Sequence, residues 1–179
     1  MPEPTPTPSP APPQTPANRR RVRILLVVIV VGLLYGIYSM VTYDPNYVIN
    51  VAEPNPLVRL ILRGEAGLKV IGVECPPLQD ERVGKVAWEF VKSCVLDRKV
   101  RIEPGEKPYD PDRWLMGYVY YRKDGREYFL NEELLRRGYG RVALWDPYLK
   151  YRRKFEEAQA EAEREKRGIW APGYKFPGD

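Results

Sequence analysis

The run ILLVVIVVGLLYGIYSMV, Ile24 to Val41, holds no charge over eighteen residues and constrains this chain more than any other feature. As a helix it reaches roughly 27 Å at about 1.5 Å per residue, close to the hydrocarbon thickness of a bilayer. It has no polar face with which to sit on a soluble core. A cleaved signal peptide is the competing reading. Its apolar region ordinarily spans only about 7–15 residues and ends at small residues, whereas this run ends in Tyr38, Ser39, Met40 and Val41. The expectation is a single transmembrane helix over residues 24–42, with the lipid bilayer as its first partner.

Arg19, Arg20, Arg21 and Arg23 precede the run, and the next basic residue after it is Arg59. The positive-inside rule therefore predicts a cytoplasmic amino terminus and a C-terminal domain outside the cell membrane. Residues 1–23 form a proline-rich tail with a basic membrane flank, of a composition that predicts disorder. Residues 43–56, YDPNYVINVAEPNP, read as a linker. The folded domain is expected over 57–170, and 171–179 form a short tail.

Charge limits the functional classes. The chain carries a formal net charge of +5, but residues 44–179 hold 25 Lys and Arg against 23 Asp and Glu. A domain so near neutrality has no strong overall attraction for a polyanion, so nucleic-acid binding would need a local patch. The chain has no histidine, which excludes histidine-based acid–base and metal chemistry. Cys75 and Cys94 are too few for a zinc site, and spacing alone leaves open whether they pair or stay separate.

Within the domain, LVRLIL and LKVIGVE are apolar runs joined by RGEAG, a hairpin pattern. DERVGKVAWEFVKSCVL places Val83, Val86, Ala87, Phe90, Val91 and Cys94 at helical spacing behind an acidic first turn. RKVRIE and RWLMGYVYY read as strands separated by the loop PGEKPYDPD. RKDGRE carries the Asp-Gly signal of a tight hairpin into the short strand YFL. NEELLRRG is a short helix with Asn131 at its N-cap and Gly138 just past its end. YGRVAL is a last strand. A helix from about Pro147 to Arg167 buries Tyr148, Tyr151, Phe155, Ala158 and Ala162 and stops at Gly168. The order predicts an α+β domain around a curled antiparallel sheet.

LKVIGVECP entering a helix, DRKVRIE, DPDRWLMGYVYYRKDG, NEELLRRGYGRVAL and FEEAQAEAEREKRGIW, in that order, resemble the staphylococcal nuclease, or thermonuclease, family. The resemblance implies an OB-fold-type five-stranded β-barrel with three helices over residues 57–170. It also implies Ca2+-dependent hydrolysis of nucleic-acid phosphodiesters. That chemistry needs carboxylates to hold a hard cation, arginines to balance transition-state charge and a carboxylate to handle the attacking water.

Carried onto this chain, the resemblance puts Lys69 at the first arginine position, Glu74 at a metal carboxylate and Pro76 at its proline. Pro77 falls where the water-handling glutamate belongs. The other metal aspartate falls on Asn55 or Pro56, neither of them an anionic ligand. The second arginine falls on Trp114, with Arg113 one residue away. Lys69 keeps the charge without the bidentate fork. Lys69 and Arg113 are thus weak candidates for catalytic roles and Glu74 for a metal ligand, alongside the plain reading of Glu74 as a solvated loop carboxylate. Trp114, Lys150, Arg152 and Arg153 are candidates for contacts to single-stranded nucleic acid. A packing tryptophan and the wet face of a helix are the competing readings, and Trp88, Trp145 and Trp170 read as core or docking aromatics.

The expectation is a membrane-anchored domain with an incomplete catalytic set that binds nucleic acid or another protein. The alternative is a tethered Ca2+-dependent nuclease that recruits Glu53, Asp80 or Glu81 in place of the missing carboxylates.

Overall fold

The computed structural model describes residues 16–42, 44–52 and 57–177. These fall into two compact units, residues 1–43 and 44–179. The first unit is one helix, α1 (Pro16–Thr42), whose stretch Arg21–Met40 is long and apolar enough to cross a membrane. Every side chain described in that stretch is exposed, as expected of a helix that lacks a soluble core to cover it. The helix begins inside the segment expected to be disordered. The rest of that segment, residues 1–15, lies outside the described residues.

The second unit is α+β. Its strands are β1 (Tyr47–Ala52), β2 (Arg59–Leu62), β3 (Gly67–Val70), β4 (Val73–Glu74), β5 (Arg98–Tyr109), β6 (Leu115–Lys123), β7 (Arg126–Phe129) and β8 (Arg141–Val142). The helices are α2 (Gly84–Val95), α3 (Leu130–Arg136) and α4 (Arg152–Arg164). The main sheet runs β3-β2-β1-β5-β6-β7, and an additional parallel pairing of β3 with β6 closes β3, β2, β1, β5 and β6 into a ring. This closed five-strand arrangement, with α2 between its third and fourth strands, is OB-like and leaves no free edge in the ring.

The ring has the expected number of strands but not the expected membership. Tyr47–Ala52, read as linker, forms β1 and pairs with both β2 and β5. Val48 and Val51 of this strand are buried. β5 continues through PGEKP, read as a loop, and its register with β6 breaks between Pro104 and Tyr109, as a strand lacking proline N–H donors requires. β4 and β8, two residues each, pair only with one another, setting Glu74 opposite Arg141.

The core fills the ring and continues under α3 and α4. Tyr118, Phe129, Tyr151 and Phe155 pack edge-on or tilted, with centroids 4.9 to 6.3 Å apart. α2 buries Ala87, Val91, Cys94 and Val95, while Val86 faces solvent. Asp80, placed by sequence in the first helical turn, instead lies in the turn before α2, its Oδ1 accepting the N–H groups of Arg82 and Val83 at 2.9 and 3.1 Å. Cys75 and Cys94 are buried free thiols, and burial pushes the Cys75 thiol up to about 12.

Three local expectations change in ways that matter for the site. Asn131 lies within α3, fully buried, rather than at its N-cap. α4 begins at Arg152, so Tyr148 precedes it and is exposed. Lys166, not Gly168, takes the left-handed conformation that ends α4, with Arg167 N–H bonded to Ala162 O at 2.9 Å.

Candidate functional site

β3, β4 with the loop after it, and the turn before β6 carry the positions to which the resemblance assigns chemistry. Lys69 sits on β3, and its ammonium is paired with the Asp110 carboxylate. Asp112 Oδ2 stands a further 4.0 Å away. Asp110 also accepts the Trp114 N–H at 2.8 Å, and Arg113 N–H bonds back to Asp110 O at 3.0 Å, so residues 110–114 form a tight turn. Burial raises the Asp110 carboxyl, but the Lys69 ammonium and the Trp114 N–H outweigh it and hold the group below its ordinary range.

Trp114 packs flat over β3, because a Cβ on Gly67 would fall 2.5 Å from its ring. Its ring lies 5.6 Å from Lys69 Nζ and 5.7 Å from the Arg59 guanidinium carbon. It is a lid over the first cationic position, not a free stacking platform. Arg113 occupies the turn with φ of +65° and an exposed side chain, and none of its interactions ties it to Lys69.

Glu74 is held on both oxygens. Arg141 Nε donates to Oε2 at 3.0 Å and Trp145 Nε1 donates to Oε1 at 2.5 Å, with only 14% of the side chain exposed. It is neither a solvated loop carboxylate nor an open ligand. Pro76 is buried, and the Pro77 carbonyl accepts the Asp80 N–H at 3.0 Å, so the loop is fixed by backbone bonds. Asp80 is engaged by the Arg82 and Val83 N–H groups and by the Tyr174 hydroxyl, and Glu81 is exposed. Glu53, Asn55 and Pro56 lie outside the described residues.

The described residues do not by themselves fit a Ca2+ ion, which takes 6–8 oxygen ligands. Among the described residues no three acidic or cysteine side chains gather to hold a metal, and the Glu74 oxygens already accept from Arg141 and Trp145.

The basic cluster at the start of α4 is paired residue by residue. Lys150 pairs with Glu103 at 2.8 Å, Arg153 with Glu157 at 2.9 Å and Lys154 with Glu132 at 2.7 Å. Arg152 donates to Asp146 O at 2.8 Å. Trp114 belongs to the turn before β6, whereas Lys150 precedes α4 and Arg152 and Arg153 lie in its first turn.

Glu103 also accepts the hydroxyls of Tyr151 at 2.9 Å and Tyr120 at 3.3 Å. The Lys150 hydrogen bond outweighs burial and pulls the Glu103 carboxyl below its usual value. Asp44 and Glu127 move the same way through Lys99 and Arg101. A carboxyl depressed in the fold adds stability above its unfolded value of about 4.3 and loses it as pH falls through the folded value. Denaturation midpoints measured from pH 7 to 3 are therefore expected to hold to about pH 5 and fall below about pH 4. A Lys150→Met variant should show a shallower acid slope.

Sequence reasoning missed Asp110, Arg141 and Trp145, the partners that close off Lys69 and Glu74. The one usable signal was the position of Arg141 in a strand-like segment after α3.

The profile of the family described as staphylococcal nuclease homologue matches residues 67–172. The chain is similar to a thermonuclease of Staphylococcus hyicus, 32% identical over 114 residues that cover 60% of this chain and 64% of that protein. It is also similar to a thermonuclease of Staphylococcus intermedius, 33% identical over 110 residues that cover 58% of this chain and 62% of that protein. The chain thus spans less than two thirds of the length of these relatives. With the profile covering more than half of the chain on a closed OB-like ring, this protein belongs to the staphylococcal nuclease homologue family.

Proposed function

We propose that this protein is a membrane-anchored binding module on a thermonuclease-like fold, and that it does not cut nucleic acid. The observation that supports this most is the pairing at the two matched positions. Lys69 is neutralised by Asp110 beneath Trp114, and Glu74 is spent on Arg141 and Trp145. Catalysis of phosphodiester cleavage requires charge left available for the transition state, and a preorganised ion pair offers none without first being broken. Pro77 in place of a carboxylate removes the group that would position water.

In this reading α1 crosses the cell membrane once, the amino terminus is cytoplasmic and the domain from Asp44 onward faces outward. The length and apolarity of Arg21–Met40 support the anchor. The second reading, a tethered nuclease, is favoured by the thermonuclease names of the relatives at 32% and 33% identity. It would need substitute carboxylates: Asp80 is already bonded, Glu81 is exposed, and Glu53 lies outside the described residues.

The test is hydrolysis of single-stranded DNA and RNA by the full chain in detergent, with Ca2+ and with chelator. No Ca2+-dependent cleavage is expected. Cleavage abolished by chelator and by Glu74→Ala would replace the binding module with the nuclease.

A further inference from the structure

Six large apolar side chains are exposed among the described residues of the second unit, and three of them share one cleft. Tyr109 (65% exposed), Trp145 (55%) and Tyr148 (45%) line one cleft of about 270 Å³, and Leu144 (70%) adjoins Trp145 in the chain. An exposed apolar patch around a concavity marks an interaction site. The volume falls just below the roughly 300–1,000 Å³ of pockets for whole small molecules, and so suits one long side chain.

The charges at this cleft select the kind of side chain. Glu106, Asp110 and Asp146 line it against a single cation, Lys107. Asp110 is committed to Lys69, and one Asp146 oxygen accepts the Tyr148 N–H at 2.9 Å. Glu106 and the second Asp146 oxygen stay available for a positive ligand, while a phosphate would meet carboxylates. The aromatic faces point to the same choice. Lys107 Nζ already rests 4.5 Å from the Tyr148 ring centroid, an internal cation on a face that accepts cations. Trp145 is preorganised, because its indole N–H is fixed to Glu74, which Arg141 holds in turn.

The geometry points to a binding site for an arginine side chain presented by an extended peptide of a partner protein, with the guanidinium stacked on Trp145 and paired with Glu106. Arginine fits better than lysine, since its planar group stacks on an aromatic face while offering a fork to a carboxylate. The exposed tyrosines and Pro147 provide the apolar walls on which an extended, proline-containing backbone rests. Glu74 becomes a positioning residue for this cleft, acting through Trp145. This deepens the binding-module reading and rests on it.

The experiment is calorimetric titration of the full chain in detergent with three probes: a short peptide alternating arginine and proline, its glutamate–proline counterpart, and oligothymidylate. The arginine peptide is expected to bind, more weakly at high salt, and the other two not. Trp145→Ala should weaken it by about tenfold, and Glu106→Gln by roughly threefold to tenfold. Lys107→Ala should tighten it about threefold by freeing the Tyr148 face. Both Trp145 and Glu106 are exposed, so both variants are expected to keep the fold. Equal binding of the two peptides, binding indifferent to Trp145 and Glu106, or preferential binding of the oligonucleotide overturns the proposal. A cleavage assay on the same preparation separates the two readings. Cutting removes the binding module itself, whereas neither cutting nor arginine-peptide binding removes only the arginine site.

Discussion

Replacing Asn131 by alanine is expected to lower the stability of the domain by about 4 kcal/mol, a large part of the roughly 5–15 kcal/mol that holds an ordinary domain together. β3 and β6 run parallel from Leu68↔Leu115 to Val70↔Gly117, and Ile71 N–H still reaches Gly117 O at 3.1 Å. Beyond that point the two strands diverge. The Asn131 side chain enters the gap, with Oδ1 accepting the Val119 N–H at 3.0 Å and Nδ2 donating to Ile71 O at 2.7 Å. One amide thus continues the seam that closes the barrel. Asn131 is the only buried polar or charged side chain among the described residues, fully shielded from water.

Alanine would leave a buried donor and a buried acceptor unsatisfied, each costing about 1–3 kcal/mol, and add a small void. The urea midpoint, followed by tryptophan fluorescence of the full chain, should fall by roughly 2 M at an ordinary slope for this size. Asn131→Asp sharpens the test. Its carboxylate can accept from Val119 but cannot donate to Ile71, and burial opposes its charge, so its pKa in the fold is raised. That variant is expected to be at least as unstable at pH 7 and to recover as pH falls toward 5 and the carboxyl regains a proton to donate. A loss under about 1 kcal/mol for alanine would mean that water or a strand shift closes the seam without Asn131.

What could be read in the sequence was whatever local chemistry specifies. Asp124-Gly125 makes a tight turn with both residues at positive φ, as its composition required, and the apolar spacing of α2 survives except at Val86. The end of α3 at Gly138 is where its punctuation placed it. The misses share a different cause. β1 has only six residues between proline-rich flanks, and its place in the ring comes from pairing with β2 and β5, partners that no local window contains. Pro147 resembled a helix start, but the Asp146 carboxylate accepts the Tyr148 N–H and turns the chain before α4 begins.

The same division runs through the candidate site. The positions of Lys69 and Glu74 followed from their own strand, yet what those residues do depends on Asp110, Arg141 and Trp145, which lie 41, 67 and 71 residues away. The Glu74–Arg141 pair is set by a ladder of two residues per strand, too short to leave a pattern. A reading of single positions sees a weakened nuclease set. In the proposed reading the pairings instead hold Asp110 and Trp145 in place at an aromatic cleft.

Gly138→Ala is the second large loss expected, about 3–4 kcal/mol, and its cause is how α3 and the end of α4 meet. Gly138 follows the C-cap of α3 with φ of +68°, its N–H bonded to Leu135 O at 2.9 Å and the Tyr139 N–H to Leu134 O at 2.8 Å. Its carbonyl then accepts the Ile169 N–H at 2.8 Å, docking the turn after α4 against α3 backbone to backbone. A Cβ on Gly138 would sit 2.2 Å from Arg167 O, a contact that no rotamer can relieve because the backbone fixes Cβ and the Arg167 oxygen belongs to the main chain. Alanine therefore carries about 1–2 kcal/mol for the left-handed conformation and a further 1–3 kcal/mol for pushing residues 167–169 away. Gly125→Ala separates the two contributions. It shares the positive φ, at +75°, but its Cβ meets nothing within 4 Å, so it should lose only about 1 kcal/mol. Equal losses at the two glycines would reduce the Gly138 effect to backbone strain. A larger loss at Gly138, with faster exchange of the Ile169 amide, is what the docked carbonyl requires.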